Sequence, residues 1–278
     1  MTKFEAPRPE YDAPPVIEVV LSFQFEPLAE LKAAQFGLLW AQFRKEFPRI
    51  EEHPPIAPVT ETFELSARER FGLQIEMSEI PLLPRTWFLN QAGTELIQVQ
   101  RDRFIHNWRK TDKGQAYPRY EYISQRFEAE LKVFSAFLAG EGIKGFAINQ
   151  AEVTYINHII SGDAWRKHSE LSNVVSPWSG RFSDGFLSEL EDENIVARFR
   201  IPDAAGQPIG RLQVELQSAF RKSDQLPIFV LSLTARGKPQ GDGIAEAFSF
   251  LDIGREWIVR GFTSMTTAEM HRIWRRTR

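Results

Sequence analysis

The hydrophobic pattern along the chain alternates between stretches of period two, typical of strands, and stretches of helical spacing. The clearest strand signal is VIEVVLSFQF, residues 16–25. Further strands are predicted over residues 59–65, 71–77, 85–90, 96–108, 150–159, 194–201, 210–220 and 227–236. Helices are predicted over residues 28–47, 120–138, 165–171 and 243–261, with a final short helix opening at Thr266 or Thr267.

The order of elements recurs in the two halves of the chain, and Glu18-Val19 and Glu152-Val153 open the first strand of each. Each half reads strand, helix, three or four antiparallel strands and long helix, which predicts a duplication. Chance similarity between strands is the alternative. The predicted fold class is α+β: two β-α-β(3-4)-α repeats forming a curved antiparallel sheet with the long helices on one face. The predicted divisions are an extended, unpacked lead-in (1–15), a first repeat (16–145) and a second repeat with a C-terminal helix (146–278).

The amino-acid composition excludes or disfavours several classes of function. The chain has 278 residues, 42% of them hydrophobic, and 34 basic against 37 acidic residues give a net charge of -3. This balance disfavours a globally basic nucleic-acid binder but leaves room for a local basic patch. The lack of cysteine excludes disulfides, thiolate metal sites and cysteine nucleophiles. No apolar run reaches the roughly 20 residues of a membrane helix, so we expect a soluble, cytoplasmic protein without membrane partners.

The predicted strand 96–108 is the most unusual segment, because amides, charges, an imidazole and an indole share it. Such a mixture suits a binding surface, since flat rings supply area and amides supply direction. A half-exposed strand with solvated polar residues is the alternative. The candidate binding residues are Gln98, Gln100, Arg101, Asp102, Arg103, His106, Asn107, Trp108 and Arg109.

The C-terminal run HRIWRRTR contains four arginines and no acidic residue. Arginines around a tryptophan can hold phosphates while the ring stacks on a base. The alternative is that the charges complement the negative end of a helix dipole. The candidate nucleic-acid contacts are Arg272, Trp274, Arg275 and Arg276.

Recognisable catalytic and cofactor motifs are absent from the sequence. It contains no G-x-S-x-G, no Walker A loop and no G-x-G-x-x-G, and its five histidines show no tight metal-ligand spacing. We therefore assign no catalytic residue, metal ligand or cofactor. Gly241-Asp242-Gly243 is interpreted as a strand-to-helix turn with Asp242 as N-cap. An enzyme site would have to assemble from Glu18, Arg101, Asp102, His106 and Glu152.

Several segments together carry a family resemblance: PPVIEVVLSFQF, LIQVQRDRFIHNWRK, the Tyr117-Pro118-x-Tyr120 motif, and a C-terminal W-x-x-x-x-F-T-S-M-T-x-x-x-x-x-x-W. From Pro14 to Trp274 the chain resembles a sporadically distributed bacterial protein family of about 250–280 residues for which no activity is established. The arrangement of elements is similar to the TATA-binding-protein-like tandem repeat. Sporadic distribution implies accessory genes such as defence or toxin–antitoxin loci. The resemblance supplies no catalytic residues.

These observations favour a non-catalytic binding or regulatory protein with a protein partner, in a bacterial defence or toxin–antitoxin locus. One alternative is nucleic-acid binding through the sheet or the basic C-terminus, with Arg101, Arg103, Arg109 and Lys110 contributing. The other is an enzyme of unrecognised type. The sequence does not assign an oligomeric state.

Overall fold

The computed structural model of the chain describes residues 6–63, 83–111, 115–180, 184, 186–187 and 190–278. Its strands are β1 (Val16–Phe25), β2 (Arg49–His53), β3 (Arg85–Leu89), β4 (Glu95–Gln100), β5 (Arg103–Arg109), β6 (Ile148–Ile160), β7 (Asn194–Pro202), β8 (Pro208–Phe220) and β9 (Pro227–Gly237). Its helices are α1 (Ala33–Phe43), α2 (Tyr120–Gly140), α3 (Ile244–Met265) and α4 (Ala268–Ile273), with a 3-10 helix at His168–Asn173.

All nine strands form one antiparallel open sheet in the order β2-β3-β4-β5-β1-β6-β9-β8-β7. The fold is therefore α+β, as predicted. The central strands β1 and β6 pair directly, Leu21 opposite Val153. Each half of the chain thus contributes its first strand to the middle of the sheet.

One side of the sheet, the helix face, carries the core. On β1 the alternation of the sequence sends Val19, Leu21 and Phe23 to this face, where they are fully buried. The Phe23 ring lies 4.8 Å from Phe127 of α2 and 5.2 Å from Phe248 of α3, measured between centroids. The opposite side, the polar face, carries the intervening β1 residues and their neighbours in register.

Most predicted elements are confirmed, with shifted ends. The long helices and the strands of the second half lie where the periodicity predicts them, but α1 begins at Ala33 rather than residue 28. The strand predicted over 59–65 is wrong for residues 59–63, which are irregular, and its last two residues lie outside the described ranges. The strand predicted over 71–77 lies outside the described residues. Thr267 caps α4 by accepting from the Met270 N–H, whereas the N-cap of α3 is Gly243 and not Asp242.

The single strand predicted over 96–108 is wrong: the segment is a hairpin. Gln100 of β4 pairs with Arg103 of β5, and Arg101-Asp102 form the two-residue turn. A two-residue turn reverses the phase of the alternation, because the residues on either side of it point to the same face. A continuous strand would place Gln98, Gln100, His106 and Trp108 on one face, whereas the turn sends His106 and Trp108 to the face opposite Gln98 and Gln100.

Two residues of the lead-in, Pro9 and Tyr11, are buried, although the sequence predicts an unpacked segment. Tyr11 is 5% exposed and forms an antiparallel bridge with Arg276. The Asp12 N–H donates to the Arg275 carbonyl at 3.1 Å, and the Thr277 N–H donates to the Glu10 carbonyl at 2.9 Å. The two ends of the chain therefore hold each other against the helices. None of the described helices combines the length and apolar content needed to cross a bilayer.

Candidate functional site

The nine candidate binding residues of the first half are divided among three environments. Gln98, Gln100, Arg103, Asn107 and Arg109 share the polar face with Gln24 and Glu18 of β1. His106 and Trp108 lie on the helix face, and Arg101 and Asp102 form the hairpin turn. The hairpin therefore prevents these side chains from forming one continuous surface.

The two candidates on the helix face are core residues. His106 is fully buried, and its Nδ1 lies 2.7 Å from Glu130 Oε2 of α2. The other Glu130 oxygen lies 3.6 Å from the Arg126 guanidinium, which balances the buried charge. The Trp108 ring packs 5.4 Å from that of Tyr117. His106 therefore ties β5 to the middle of α2, and Trp108 ties β5 to the segment that precedes α2.

A chain of hydrogen bonds joins the candidates on the polar face. Gln98 Nε2 donates to Asn107 Oδ1 at 2.6 Å, and Asn107 Nδ2 donates to Glu18 Oε1 at 2.6 Å. Burial raises the pKa of the Glu18 carboxyl, partly offset by the Asn107 hydrogen bond. Gln98 and Asn107 are buried, so the solvated strand considered as an alternative is also wrong. We call the polar face of β4, β5 and β1 the closed half.

Residues 54–63, the strap, cross this polar face from one half of the sheet to the other. Their partners follow the strand order of the sheet. The contacts are Ile56 with Gln100 of β4, Ala57 with Arg103 of β5, Val59 with Gln24 of β1 and Glu61 with Gln150 of β6. Arg103 donates to Gln24 Oε1 at 2.5 Å and to the Ala57 carbonyl at 3.2 Å.

The far end of the strap inserts a carboxylate between two arginines. Glu61 is hydrogen-bonded to Arg211 of β8, and its second oxygen lies 3.5 Å from Arg236 of β9. Arg211 also donates to the Thr62 carbonyl at 2.9 Å, and Arg236 pairs with Glu152. The Glu61 side chain is 9% exposed, so this ion pair is well shielded from solvent.

These two arginines belong to a row that continues to the edge of the sheet. Arg200 of β7 lies opposite Arg211, and Arg211 lies opposite Arg236. Like charges directly opposite each other in a sheet are destabilising, so the row requires anions close by. Arg200 is exposed and makes no hydrogen bond or ion pair with the described residues. We call the polar face of β9, β8 and β7 the open half.

The edge strand β7 presents further groups to solvent. Arg198 is exposed on the same face as Arg200, with one hydrogen bond of 3.3 Å to Gln213. In the described part of the chain no strand pairs with the outer edge of β7. Within these described ranges its outward backbone N–H and C=O groups have no partner strand, which is the condition for pairing with another chain.

The structure does not bring the C-terminal candidates together as one exposed surface. Trp274 is 5% exposed, and its ring packs against Phe262 at 4.9 Å and Tyr11 at 6.2 Å. No ring face is left for a base. Arg272 is paired with Glu269, and Arg276 donates to the Arg278 carbonyl at 2.5 Å. Arg275 is exposed at the end of α4.

The five residues considered for an enzyme site do not meet. Glu18 and Glu152 lie on the polar face, His106 lies on the opposite face, and Arg101 and Asp102 occupy the hairpin turn. Arg101 donates to the Leu31 carbonyl at 3.0 Å, and Asp102 accepts from Gln100 at 2.5 Å. Across the described ranges, no three His, Asp or Glu side chains are grouped so that they could hold a metal ion.

Sequence reasoning missed the arginine row, although part of its signal is visible. Arg198 and Arg200 alternate in the predicted strand 194–201, which places both on one face. Arg211 and Arg236 stand at the ends of their strands, and only the register brings them next to Arg200. The contribution of Glu61 depends on the strap, which carries no periodic signal.

Comparison of the chain with protein-family models and with curated proteins finds no match. The family resemblance and the gene context that it implies therefore stay predictions.

Proposed function

We propose that this chain is a non-catalytic binding protein whose open half receives an acidic segment of a protein partner. The segment would add as a strand to the free edge of β7, with its carboxylates beside Arg198 and Arg200. Strand addition of this kind draws affinity from backbone hydrogen bonds and specificity from the side chains. The placement of this partner in a bacterial defence or toxin–antitoxin locus is part of the same proposal and rests on the resemblance alone.

The arginine row is the observation that carries the proposal. Arg200, Arg211 and Arg236 are cross-strand neighbours, and the carboxylate of Glu61 already bridges two of them. A carboxylate is thus the group that the chain itself uses to neutralise this row. Among the described residues no carboxylate pairs with Arg200 at the outer end, and in this proposal another molecule supplies one.

A protein strand fits this surface better than the alternatives. The net charge of -3 supplies no general attraction for nucleic acid, and a nucleic acid cannot pair with the backbone edge of β7. A second copy of the chain is also disfavoured. Antiparallel pairing that used all of β7 would place Arg198 opposite Arg198, and like charges in that position repel.

The tandem-repeat organisation is proposed on the strand order. Residues 16–145 contribute β2-β3-β4-β5-β1 and residues 146–278 contribute β6-β9-β8-β7, so each half sets its first strand beside its last. This mirrored order supports two repeated α+β units in a curved sheet, similar to the TATA-binding-protein-like arrangement. In this proposal the repeats have diverged, one becoming closed and the other remaining open.

The test uses a synthetic peptide of alternating glutamate and valine and its glutamine–valine counterpart, titrated onto the full chain by calorimetry. We expect the acidic peptide to bind and the neutral peptide to bind at least tenfold more weakly. The double variant Arg198→Glu, Arg200→Glu should lose binding by at least tenfold, and Arg272→Glu, an exposed arginine on α4, should keep it. N-methylation of the peptide backbone should abolish binding if the peptide adds as a strand.

Four outcomes would overturn this function. The acidic peptide could fail to bind, or it could bind the charge-reversed variant as well as the native chain. A single-stranded oligonucleotide could bind in its place and be lost on charge reversal, which would establish the nucleic-acid alternative. Native mass spectrometry could find a dimer that the same two substitutions dissociate, which would assign the edge to a second copy.

A further inference from the structure

A cavity of about 320 Å³ lies on the helix face, on the opposite side of the sheet from the arginine row. The lead-in forms one wall, the start of α2 a second, and α3 with β6 and β9 the floor. Small-molecule sites start at about this volume. The rim residues Glu10 and Glu121 are exposed, whereas Tyr155 and Asn157 on the floor are buried, so the cavity opens toward solvent at its rim.

The lining is positively charged and partly apolar. It contains three guanidinium groups, of Arg8, Arg119 and Arg255, and two carboxylates, of Glu10 and Glu121. The carboxylates are already paired, Glu10 with Arg278 and Glu121 with Arg255 at 2.6 Å in each case. No carboxylate of the described residues lies within ion-pair distance of Arg119. The apolar part of the lining is Val16, Leu233, Ile258, Val259 and Phe262.

Two tyrosine hydroxyls supply a proton donor at the floor. The hydroxyls of Tyr117 and Tyr155 lie 3.0 Å apart and share one hydrogen bond. Burial raises the pKa of both tyrosines, so both keep their protons at neutral pH. The two hydroxyls carry two protons, and the hydrogen bond between them uses one, so the second proton can be donated to a ligand. No other side-chain partner of either hydroxyl is found among the described residues.

Arg119 is held at the cavity in a strained backbone conformation. Its φ of 74° and ψ of 156° fall in a region that is almost restricted to glycine. The conformation is fixed from both sides, because Arg119 Nη1 donates to the Tyr11 carbonyl at 3.0 Å and the Ile123 N–H donates to the Arg119 carbonyl at 3.4 Å. Strain of this kind persists where the surroundings enforce it, and it is concentrated at ligand-binding positions.

We infer that this cavity binds a small organic carboxylate, with its charged end at Arg119 and the Tyr117–Tyr155 pair and its apolar body against Leu233, Ile258 and Phe262. Arginine and hydroxyl donors suit a carboxylate, which accepts through two oxygens. The apolar lining is complementary to a hydrocarbon or phenyl body. This site is independent of the open half, because the sheet separates the two.

The experiment measures binding of benzoate, 3-phenylpropionate and octanoate to the full chain by ligand-observed NMR, with 3-phenylpropionamide as the neutral isostere. We expect at least one carboxylate to bind and the amide to bind at least tenfold more weakly than 3-phenylpropionate. Arg119→Gln should weaken carboxylate binding at least tenfold. Tyr117→Phe keeps the ring and should weaken it severalfold, and Arg272→Gln should leave it unchanged.

Circular dichroism of each variant separates loss of binding from loss of folding, and Tyr117→Phe keeps the test decisive if Arg119→Gln unfolds. The inference is overturned if none of the three carboxylates binds or if the amide binds as tightly as the acid. It is equally overturned if a folded Arg119→Gln and Tyr117→Phe both bind like the native chain. None of these results depends on the acidic peptide or on Arg198 and Arg200.

Discussion

On the polar face of the sheet, β4 and β5 carry amides buried in a hydrogen-bond chain, whereas β7 carries arginines that reach solvent. The closed half and the open half both carry polar residues, and both are built from antiparallel strands. In the closed half Asn107 accepts from Gln98 and donates to Glu18. In the open half Arg200 faces Arg211 with no partner of its own in the described residues.

The difference shows that buried amides and exposed arginines play different parts in folding and binding. Buried amides with mutual partners hold strands together, because leaving one of them unpaired costs the full desolvation of a polar group. Exposed arginines in a like-charged row contribute little to folding and become useful only when an anion arrives. Polar residues alone therefore do not identify a binding surface. A binding surface is identified by polar side chains that are exposed and have few hydrogen-bond or ion-pair partners within the chain.

The largest effect is expected in the closed half. Asn107→Leu removes the shared partner of Gln98 and Glu18, and we expect it to lower the free energy of unfolding by about 2–4 kcal/mol. Gln213→Leu is the matched change in the open half, where the described hydrogen-bond partners of the amide are Glu215 and Arg198. We expect it to cost less than about 1 kcal/mol. Urea denaturation of both variants measures the contrast, and equal losses would contradict it.

The strap supplies the next largest effect, because it links the two halves. Glu61→Gln removes the negative charge between Arg211 and Arg236, and we expect a loss of about 1–3 kcal/mol. Added sulfate should restore more stability to this variant than to the native chain, because Arg211 and Arg236 regain an anion in place of the Glu61 carboxylate. Thermal melts in sulfate and in chloride at equal ionic strength test this. Equal responses of the two proteins would show that Glu61 does not neutralise the row.

Only part of the difference between the closed half and the open half could be predicted from the sequence, and the reasons can be identified. The strands of the second half were predictable because apolar and polar positions alternate clearly from Leu212 to Leu216. The hairpin at Arg101-Asp102 was not, because it contains no glycine, proline or asparagine and both faces of the segment mix polar with apolar residues. Strand β2, Arg49–His53, was missed because charged residues dominate it and its pairing with β3 alone defines it.

The candidate site residues also divide into those that the sequence could indicate and those that only the fold brings together. Tyr117-Pro118-x-Tyr120 was recognised as distinctive, and Tyr117 does line the cavity beneath the lead-in. Its partners Tyr155 and Arg255 are 38 and 138 residues away, and only the fold brings them there. Buried candidates such as His106 were misplaced because an imidazole in a strand gives no sign of a carboxylate that arrives from α2.

A smaller, pH-dependent effect is expected at Glu18. Burial raises its pKa in the folded chain, so the native state holds its proton more tightly than the unfolded state does. Its contribution to stability therefore falls as pH rises through the carboxyl range and stays unfavourable above it. Glu18→Gln should be more stable than the native chain at pH 7, with the gain disappearing toward pH 3. A gain that is the same at both pH values would contradict burial as the cause.

The smallest effect on stability is expected from the arginines of β7. Arg198→Ser and Arg200→Ser remove exposed side chains, and each should change the free energy of unfolding by less than about 0.5 kcal/mol. Removing Arg200 also relieves repulsion of Arg211, so a slight gain is the expected direction for that variant. Urea denaturation measures both. A loss above 1 kcal/mol would mean that these residues hold the edge of the sheet, and the open half would then be as structural as the closed one. If the free energy of unfolding hardly changes while peptide binding is lost, the arginines of β7 serve binding of a partner, because folding does not require them.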